Sequence, residues 1–270
     1  MTSGAYVHGY DPREQRRLSD QAQTLAELLH ADTRYAAGSR VLEAGCGVGA
    51  QSVHLAAGSP EALITSMDIS AESVAAASRR AEQAGLANVS FRVGDILHPP
   101  FEPGSFDHVF VCFVLEHLAD PAAALASLGR LLVPGGTLTV IEGDHGSTFF
   151  HPDSPRARRA VQALVDAQRL AGGGDANIGR RLFPLLSGCG LVEVRVSPRL
   201  VYVDDSMPHR VQGFTLDTFT SMVAGARPQV AHLELMDMAE FDAGVADLAA
   251  TAAGGGTFCY CFFKATAVKP

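Results

Sequence analysis

The sequence has no excess of positive charge. Its 21 Lys and Arg residues are outnumbered by 29 Asp and Glu, which gives a formal net charge of −8 at pH 7. Proteins that bind nucleic acid without sequence specificity use Lys and Arg to displace counterions from the phosphates. The charge balance therefore argues against a nucleic-acid partner, although it leaves room for a local basic patch.

Long hydrophobic runs are also missing. No segment supplies the uninterrupted stretch of about 18 apolar residues that a membrane-spanning helix needs. Residues 1–15 contain neither the apolar core of a signal peptide nor a basic leader. We therefore expect a cytoplasmic protein without a membrane partner.

Cysteine is scarce and scattered. The 5 cysteines are odd in number and lie mostly in apolar stretches, so we expect free buried thiols rather than a disulfide framework. Cys259 and Cys261 alternate along one predicted strand and share a face, but no His or Cys pair lies nearby at a complementary spacing. The sequence therefore predicts no metal site.

The first half of the chain alternates between strand and helix patterns. With 270 residues and 47% hydrophobic content, it can form one elaborated α/β domain around a large core. We predict strands at 40–44, 62–69, 89–93, 106–114 and 137–142, and helices at 50–57, 71–84 and 121–132. This alternation specifies a parallel sheet whose ligands bind beyond the C-terminal ends of the strands.

The second half is less regular. We predict an added helix at 155–171, a helix within 178–190, strands at 191–198 and 256–268, and two helices within 199–250. The last strand returns by a long connection, which suggests an antiparallel edge. The predicted fold is α/β, with a seven-stranded, mostly parallel Rossmann-like sheet, helices on both faces, an antiparallel C-terminal strand and helical cap insertions.

The predicted segments divide the chain by role. Apolar residues at helical spacing within 12–30 predict a lid helix, which we place in an N-terminal segment 1–37. The core comprises 38–145 and 176–270. Segments 146–175 and 199–250 are predicted cap insertions over a substrate pocket.

The most specific local feature is the run VLEAGCGVG at 41–49. Gly45, Gly47 and Gly49 follow a strand and precede a helix, so the backbone can turn sharply and present bare N–H groups to a ligand. Taken alone, this turn also satisfies the loose dinucleotide fingerprint, with Asp68 where a ribose-binding acid is expected. A dehydrogenase remains an alternative on this evidence.

Further motifs follow in a fixed order: SMDIS at 66–70, GDI at 94–96, FDHVFVCFVLEHLADP at 106–121 and LLVPGGTLTVIE at 131–142. Together with the glycine turn, they resemble the class I S-adenosylmethionine-dependent methyltransferases of the small-molecule subgroup. The methyltransferase domain is similar to that of ubiquinone and menaquinone biosynthesis enzymes. The resemblance implies S-adenosylmethionine as cofactor, S-adenosylhomocysteine as product, and no metal.

The resemblance also assigns cofactor-binding roles. Asp68 would accept hydrogen bonds from both ribose hydroxyls, and Asp95 would receive the adenine amino group. Either aspartate could instead cap the turn that follows it. Tyr10 and Arg17 of the N-terminal segment would reach the sulfonium and the cofactor carboxylate, unless the tyrosine only packs the lid. The predicted cofactor-binding set is Tyr10, Arg17, Glu43, Gly45, Cys46, Gly47, Gly49, Asp68, Ile69, Gly94, Asp95, Ile96, Phe113 and Val114.

The segment IEGDHGSTFFH at 141–151 would lie on the acceptor side of the pocket. Asp144 next to His145 could orient an imidazole base, and Glu142 could hold a cationic group of the substrate. We therefore predict Glu142, Asp144 and His145 as the catalytic residues. The alternative is that Asp144 caps a turn and His145 makes a structural hydrogen bond.

Motifs of other acceptor classes are missing. The fourth strand ends in Cys112-Phe113-Val114 rather than in the D/N-P-P-Y motif of amino-directed nucleic-acid methyltransferases. An Asp-rich Mg²⁺ centre and a paired-glutamate loop are also missing from the sequence. We therefore expect a small-molecule acceptor, methylated on oxygen or nitrogen rather than carbon, as in natural-product tailoring.

Two other functions remain open. The first is a protein of the same fold that binds S-adenosylmethionine without methylating, as a sensor or a cyclase-like enzyme. The second is an NAD(P)-dependent oxidoreductase, which would need a Tyr-Lys or His-Asp pair where this chain has Leu115-Glu116-His117. The sequence also leaves open whether the chain forms a homodimer.

Overall fold

A computed structural model describes residues 25–270, which form an α/β fold around a seven-stranded sheet. The strand order is β3-β2-β1-β4-β5-β7-β6. Strand β7 runs antiparallel to both of its neighbours, and the pairings among β1 to β5 are parallel. The strands are β1 Arg40–Ala44, β2 Leu63–Asp68, β3 Val89–Val93, β4 Phe106–Cys112, β5 Leu132–His151, β6 Val192–Val203 and β7 Thr257–Val268.

Helices cover both faces of the sheet. Residues 25–30 are helical and are called α1 here. The others are α2 Ala50–Gly58, α3 Ala71–Gln83, α4 Pro121–Leu131, α5 Pro155–Gly172, α6 Leu182–Gly188, α7 Pro208–Arg210, α8 Ser221–Gly225, α9 Arg227–His232 and α10 Met238–Ala250. A π-helix, Val211–Thr220, joins α7 to α8. None of the helices within 25–270 is long and apolar enough to cross a bilayer.

Two hydrophobic clusters form the core, one on each face of the sheet. The first contains buried side chains of α1, α2, α5 and the helices within 208–250, including Leu29, Leu164 and Phe214. The second contains those of α4 and α6, including Leu125 and Leu186. Each fully buried Leu or Phe contributes about 1.5–3 kcal/mol relative to exposure, so the clusters hold the helices on the sheet.

The fold prediction is confirmed, but two strands are longer than predicted. Strand β5 continues past residue 142 to His151, and β6 continues past residue 198 to Val203. Both extensions pair with the first half of β7. An irregularity between Asp144 and Phe149 breaks the β5 ladder, which explains why the local pattern there did not predict a strand.

The segment 199–250 contains more helices than the two predicted. Threonine side chains of the π-helix stabilise it. The Thr218 hydroxyl donates a hydrogen bond to the Gly213 carbonyl at 2.6 Å, and the Thr220 hydroxyl donates to the Thr215 carbonyl at 2.7 Å. Each hydrogen bond joins residues five positions apart and gives a partner to a backbone carbonyl in the wide turns of the π-helix. Long π-helices are rare and often lie at functional sites.

Lys264 anchors the end of α1 to β7. Its ammonium group is almost completely buried and donates to the Leu29 carbonyl at 3.2 Å, Asp32 Oδ1 at 2.6 Å and Thr33 Oγ1 at 2.6 Å. A cation at the C-terminal end of a helix also interacts favourably with the helix dipole. Partial burial raises the pKa of Asp32, but hydrogen bonds from Lys264 and Arg199 outweigh it and lower the pKa to about 2.

We expect Lys264→Met to lower the free energy of unfolding by about 2 kcal/mol, because hydrogen bonds from a charged donor are lost while the apolar stem is kept. The dependence of the free energy of unfolding on acid pH should also change. Because the pKa of Asp32 lies below its ordinary 3.8, its stabilisation is present above pH 4 and is lost as the pH falls towards 2. Urea titrations at pH 7 and pH 3 should show a smaller difference between the two proteins at pH 3. An equal difference at both pH values would contradict the assignment.

Candidate functional site

The predicted cofactor loops meet where the strand order reverses. The chain runs from β1 outward to β2 and β3, and it then returns to form β4 on the other side of β1. Ligands of open α/β sheets bind in the crevice at this point, beyond the C-terminal strand ends. The loops after β1 and β2 are joined there, because the Gly45 N–H donates to the Met67 carbonyl at 2.7 Å.

The three glycines of the turn have different roles. All have positive φ, which favours glycine. A Cβ on Gly45 would collide with the Val114 side chain, and one on Gly49 would lie 2.8 Å from Ala77 Cβ. Among residues 25–270, apart from its two chain neighbours, no atom lies within 4 Å of the Cβ position of Gly47. Gly45 and Gly49 therefore serve close packing, whereas Gly47 presents an open backbone face.

Asp68 orders the turn and keeps acceptor capacity. Its Oδ2 accepts the Gly47 N–H at 2.8 Å, and its Oδ1 accepts the Ser70 N–H at 2.9 Å. Each carboxylate oxygen has a further lone pair, so two ribose hydroxyls could bind without displacing the backbone donors. Both predictions for Asp68, a turn-capping role and a ribose contact, are compatible with this geometry. Ile69 lies beside it with 63% of its surface exposed.

Asp95 also orders its own turn. Its Oδ1 accepts the Leu97 N–H at 2.9 Å, and its Oδ2 lies 3.2 Å from His98 Nδ1. The preceding Gly94 donates its N–H to the Asp68 carbonyl at 2.9 Å, which brings the two aspartates to the same edge of the sheet. Ile96 is partly buried against the second cluster. The adenine contacts of this loop remain predictions.

The side chains of Glu43 and Cys46 are buried next to the glycine turn, and their contact with the cofactor stays a prediction. The Glu43 carboxylate is buried and accepts hydrogen bonds from the Ser52 and Ser66 hydroxyls, at 2.5 Å each. It therefore ties α2 and β2 to β1 beneath the glycine turn. The Cys46 side chain is also buried, and burial raises the pKa of its thiol. Local sequence order placed both residues near a ligand, but their side chains point into the protein.

We expect Glu43→Gln to remove a pH-dependent loss of stability. Burial, partly offset by hydrogen bonds from Ser52 and Ser66, raises the pKa of Glu43 from 4.5 to about 7. A raised carboxyl pKa favours the folded state below pH 4.5, and this advantage is lost as the pH rises through 7, a change on the order of 3 kcal/mol. In urea titrations at pH 5 and pH 8, the wild type should lose more stability at pH 8 than the variant. Glu61→Gln, at an exposed loop position, is the matched control, and equal pH responses of wild type and Glu43→Gln would disprove the prediction.

Glu142 braces the loop after β4. Its Oε1 accepts the N–H groups of Val114 and Leu115 at 3.0 and 2.8 Å, and its carboxyl is fully buried. Burial, together with the neighbouring Glu116 carboxyl, raises the pKa of Glu142 well above its ordinary value. Its Oε1 therefore holds the loop, and the predicted contact of Glu142 with a substrate cation stays a prediction.

Phe113 begins the braced loop in a strained conformation. Its φ of 58° is unusual for a residue with a side chain, and its N–H donates to the Ile141 carbonyl at 2.9 Å. The ring lies 5.4 Å from that of Phe262. Val114 packs directly on Gly45, so this loop and the glycine turn form adjoining walls of the crevice.

Asp144 and His145 do not form the predicted pair. Asp144 makes a two-point ion pair with Arg180, with Nε–Oδ2 and Nη2–Oδ1 distances of 2.6 Å. His145 Nδ1 lies 2.8 Å from the Tyr260 hydroxyl instead. Successive side chains of a strand point to opposite faces, and the two neighbours lie on β5. Asp144 therefore cannot orient the His145 imidazole.

Several residues of this region escaped the sequence analysis. Arg180 and Tyr260 are the partners just described. Phe219 and Phe262 pack on Tyr260 with ring centroids 5.4 and 4.6 Å away, and Phe219 also contacts the His145 ring at 5.9 Å. The alternation of Phe258, Tyr260 and Phe262 along β7 was the sequence feature that could have identified these aromatic residues. We call these buried rings the aromatic wall: Phe214, Phe219, Phe258, Tyr260 and Phe262.

Two predicted residues, Tyr10 and Arg17, lie outside the described residues. Within 25–270, no group of three or more His, Cys, Asp or Glu side chains is arranged to hold a metal ion.

Comparison with known proteins identifies a domain in the first half of the chain. Residues 42–140 match the family model described as "Methyltransferase domain", and they span the glycine turn, most of β1, strands β2 to β4 and the first part of β5. These residues form a methyltransferase domain similar to that of the class I S-adenosylmethionine-dependent enzymes. The match covers the densest part of the predicted resemblance, which is thereby confirmed.

Two curated relatives show how far the similarity extends. An uncharacterized 37.1 kDa protein of transposon Tn4556 from Streptomyces fradiae is 33% identical over 227 residues, which are 83% of this chain and 64% of that protein. Demethylmenaquinone methyltransferase of Thermus thermophilus is 38% identical over 134 residues, 50% of this chain and 56% of that protein. The chain thus spans less than two thirds of the length of these curated relatives.

A solved structure supports the fold. The YcgJ protein from Bacillus subtilis superposes with a TM-score of 0.56 at 18% identity, covering 94% of this chain and 98% of that one. Dinucleotide-binding oxidoreductases have the strand order 3-2-1-4-5-6. In this chain an antiparallel β7 lies between β5 and β6, so the strand order differs from that of those oxidoreductases.

Proposed function

We propose that this methyltransferase transfers the methyl group of S-adenosylmethionine to a small-molecule acceptor, on oxygen or nitrogen rather than carbon. The observation that carries the proposal is the open backbone face of Gly47 between Asp68 and the loop at Phe113. A metabolic role in natural-product tailoring fits this function. The Thermus relative, by its name, also methylates a small molecule.

The residues around the crevice fit the cofactor. Asp68 has spare lone pairs for two hydroxyls, and the absence of any atom near the Gly47 Cβ position leaves room for a ligand against the backbone. Ile69 is unusually exposed for a large apolar residue, and a flat adenine ring would cover it. When bound, S-adenosylmethionine supplies a methyl group on a positively charged sulfur.

The protein's own part is alignment and exclusion of water. Methyl transfer is an in-line displacement, so catalysis depends on holding the acceptor atom opposite the sulfur. Glu142 fixes the loop that begins with Phe113, and Phe113 contacts the aromatic wall through Phe262. We place the acceptor beside this wall, with His145 as the nearest polar side chain of the predicted catalytic set.

We further propose that the helical parts of 146–175 and 199–250 cover the acceptor. Phe214 and Phe219 of the π-helix contact the aromatic wall on β7, so a movement of this helix would open the wall. The N-terminal segment with Tyr10 and Arg17 would close the cofactor side in the same way. These roles remain part of the proposal.

The test is incubation with methyl-labelled S-adenosylmethionine and a panel of hydroxyl- and amine-bearing metabolites. We expect labelled product and S-adenosylhomocysteine in equal amounts with at least one acceptor, and at least tenfold less of both with Asp68→Ala at the same subsaturating cofactor concentration. Tight cofactor binding without S-adenosylhomocysteine from any acceptor would instead favour a sensor or a cyclase-like enzyme.

A further inference from the structure

The two phenylalanines of the π-helix contact the same two rings of β7. The Phe214 ring centroid lies 5.9 Å from that of Phe258 and 5.9 Å from that of Tyr260. The Phe219 ring lies 4.9 and 5.4 Å from the same two rings. Two residues five positions apart therefore share one face of the helix, and that face is turned to β7.

This arrangement depends on the wide turns of the π-helix. An α-helix has 3.6 residues per turn, so residues five apart point about 140° away from each other around its axis. In a π-helix, hydrogen bonds between residues five apart close each turn and bring those residues to the same side. The side chains of Gln212 and Asp217 show the same spacing, because Gln212 Nε2 donates to Asp217 Oδ1 at 2.8 Å. The π register therefore keeps both phenylalanines against β7.

Thr215 has a hydroxyl that the π register leaves unsatisfied. Its side chain is 1% exposed, and its hydroxyl has no hydrogen-bond partner among residues 25–270. An unpaired buried hydroxyl destabilises the conformation that contains it. In an α-helix a threonine hydroxyl bonds the carbonyl three or four residues earlier, which for Thr215 is that of Gln212 or Val211. An α register would therefore give this hydroxyl the acceptor that it lacks.

The other buried threonines have an acceptor in either register. The hydroxyls of Thr218 and Thr220 donate to carbonyls five residues earlier in the π-helix. In an α-helix each hydroxyl would reach a carbonyl three or four residues earlier instead. These hydrogen bonds therefore do not oppose a change of register, whereas the Thr215 hydroxyl favours it.

The two ends of this helical stretch differ. The turn before α7 is anchored to the loop before β7, because the Gly255 N–H donates to Asp205 Oδ2 at 2.7 Å. After α8 the helix breaks at Ala226, and α9 begins at the next residue. A change in helix length is therefore taken up at the C-terminal end, which is nearer to Phe219 than to Phe214.

We propose that Val211–Thr220 changes between a π and an α register, and that this change turns the Phe219 ring away from Phe258 and Tyr260. The ring then also leaves the His145 ring, whose centroid is 5.9 Å away. The π register is the closed form of the aromatic wall, and the α register is its open form. The change of register stands without the proposed function.

The consequence for the acceptor rests on the proposed function. Phe219 is 1% exposed in the closed form, so its ring fills its space in the wall completely. In the open form a gap of the size of one ring lies beside Tyr260, where aromatic faces would contact a flat apolar part of the acceptor. The wall adjoins the crevice through the contact between Phe262 and Phe113. The register of the π-helix would thus control access of the acceptor and leave the cofactor loops unchanged.

The register change is measured by fluorine relaxation-dispersion spectra of protein labelled with fluorophenylalanine at its 14 phenylalanines. Helix register shifts fall in the microsecond-to-millisecond range that this method detects. Phe219→Leu and Phe106→Leu identify the two signals that are compared. We expect exchange at Phe219 and none at Phe106, which lies in the second hydrophobic cluster on the other face of the sheet. A Phe219 signal without exchange would overturn the proposal.

Two variants of the same size separate a change of register from a general loosening. Thr215→Val removes a hydroxyl that has an acceptor in the α register alone, so the open population should fall at least fivefold with no loss in Tm. Thr218→Val is the matched control, because its hydroxyl has an acceptor in both registers. We expect a lower Tm for this control and exchange at Phe219 within twofold of the wild type. Unchanged exchange in Thr215→Val, or an equal fall in both variants, would contradict the proposal.

The role in acceptor access is tested by turnover. If only the open form admits the acceptor, Thr215→Val lowers kcat/KM for the acceptor by the same factor as the open population, with unchanged affinity for S-adenosylhomocysteine. Deletion of the exposed Asp217 places the two phenylalanines four positions apart, so that an α-helix holds both rings on β7. We expect this variant to lose exchange at Phe219 and at least tenfold in kcat/KM.

Full activity of Thr215→Val would overturn the role in acceptor access, whether or not the deletion variant folds. Failure of the wild type to bind S-adenosylhomocysteine would refute the proposed function, while the fluorine spectra would still decide whether the π-helix changes register.

Discussion

Asp68→Ala should weaken the binding of S-adenosylhomocysteine by about 2–3 kcal/mol, which is roughly 30- to 150-fold in Kd. The effect is large because charge-assisted hydrogen bonds to two ribose hydroxyls would be lost together. Isothermal titration calorimetry measures it directly. Unchanged affinity would refute the assigned ribose contact.

The same carboxylate also accepts the Gly47 and Ser70 N–H groups, so the alanine variant could act through a loosened turn. Asp68→Asn keeps the shape and one acceptor oxygen, but its NH₂ group would face one of the two backbone N–H donors, so thermal unfolding of both variants is measured in parallel. We expect an intermediate affinity for Asp68→Asn, and a loss of affinity in Asp68→Ala that exceeds what its loss of thermal stability accounts for. Glu102→Ala, at an exposed loop position before β4 and so at the end of the strand opposite the crevice, should leave the affinity unchanged.

Gly47→Ala should lower cofactor affinity at least tenfold while costing only about 1 kcal/mol of stability, the usual cost of placing alanine at positive φ. The added methyl group meets no atom of the described part of the chain within 4 Å, its two chain neighbours aside, so it projects into the space that we assign to the ligand. Calorimetry with S-adenosylhomocysteine and urea denaturation measure the two quantities separately.

Gly38→Ala is the matched control for this variant. Gly38 has a φ of 75° and no atom within 4 Å of its Cβ position, but it precedes β1 at the opposite end of the strand from the crevice. We expect a similar loss of stability and no loss of affinity. An equal loss of affinity in both variants would mean that Gly47 acts through the fold and not through the ligand.

The first half of the fold could be predicted closely because its information is local. The strands at 40–44 and 89–93 have the predicted bounds, and the apolar runs that encode them are short and separated by clear helix signals. The extension of β5 to His151 could not be predicted in this way. It depends on pairing with β7, more than 100 residues later, and its own pattern is interrupted between Asp144 and Phe149.

The candidate site, like the fold, could be predicted from the sequence only in part. The ordered motifs predicted which loops meet, because each lies at the end of a strand in the parallel sheet. They did not predict which way the acidic side chains point. Glu43 and Glu142 both lie in motifs beside the crevice, yet each carboxyl is buried and holds a neighbouring loop or helix in place.

Partners distant in sequence caused the remaining error. Asp144 and His145 are adjacent, which suggested a pair, but their partners are Arg180 and Tyr260, 36 and 115 positions away. Reading this stretch as a strand would have placed the two side chains on opposite faces. The alternating aromatic residues of β7 would then have been the natural candidates to contact His145.

The central claim is that the crevice at Gly47 and Asp68 is an S-adenosylmethionine site. The most direct measurement is calorimetric titration of the wild-type protein with S-adenosylhomocysteine and, in parallel, with NAD⁺ and NADPH. We predict saturable binding of one S-adenosylhomocysteine per chain and no detectable binding of either dinucleotide. Binding of a dinucleotide, or no binding of S-adenosylhomocysteine, would contradict the account.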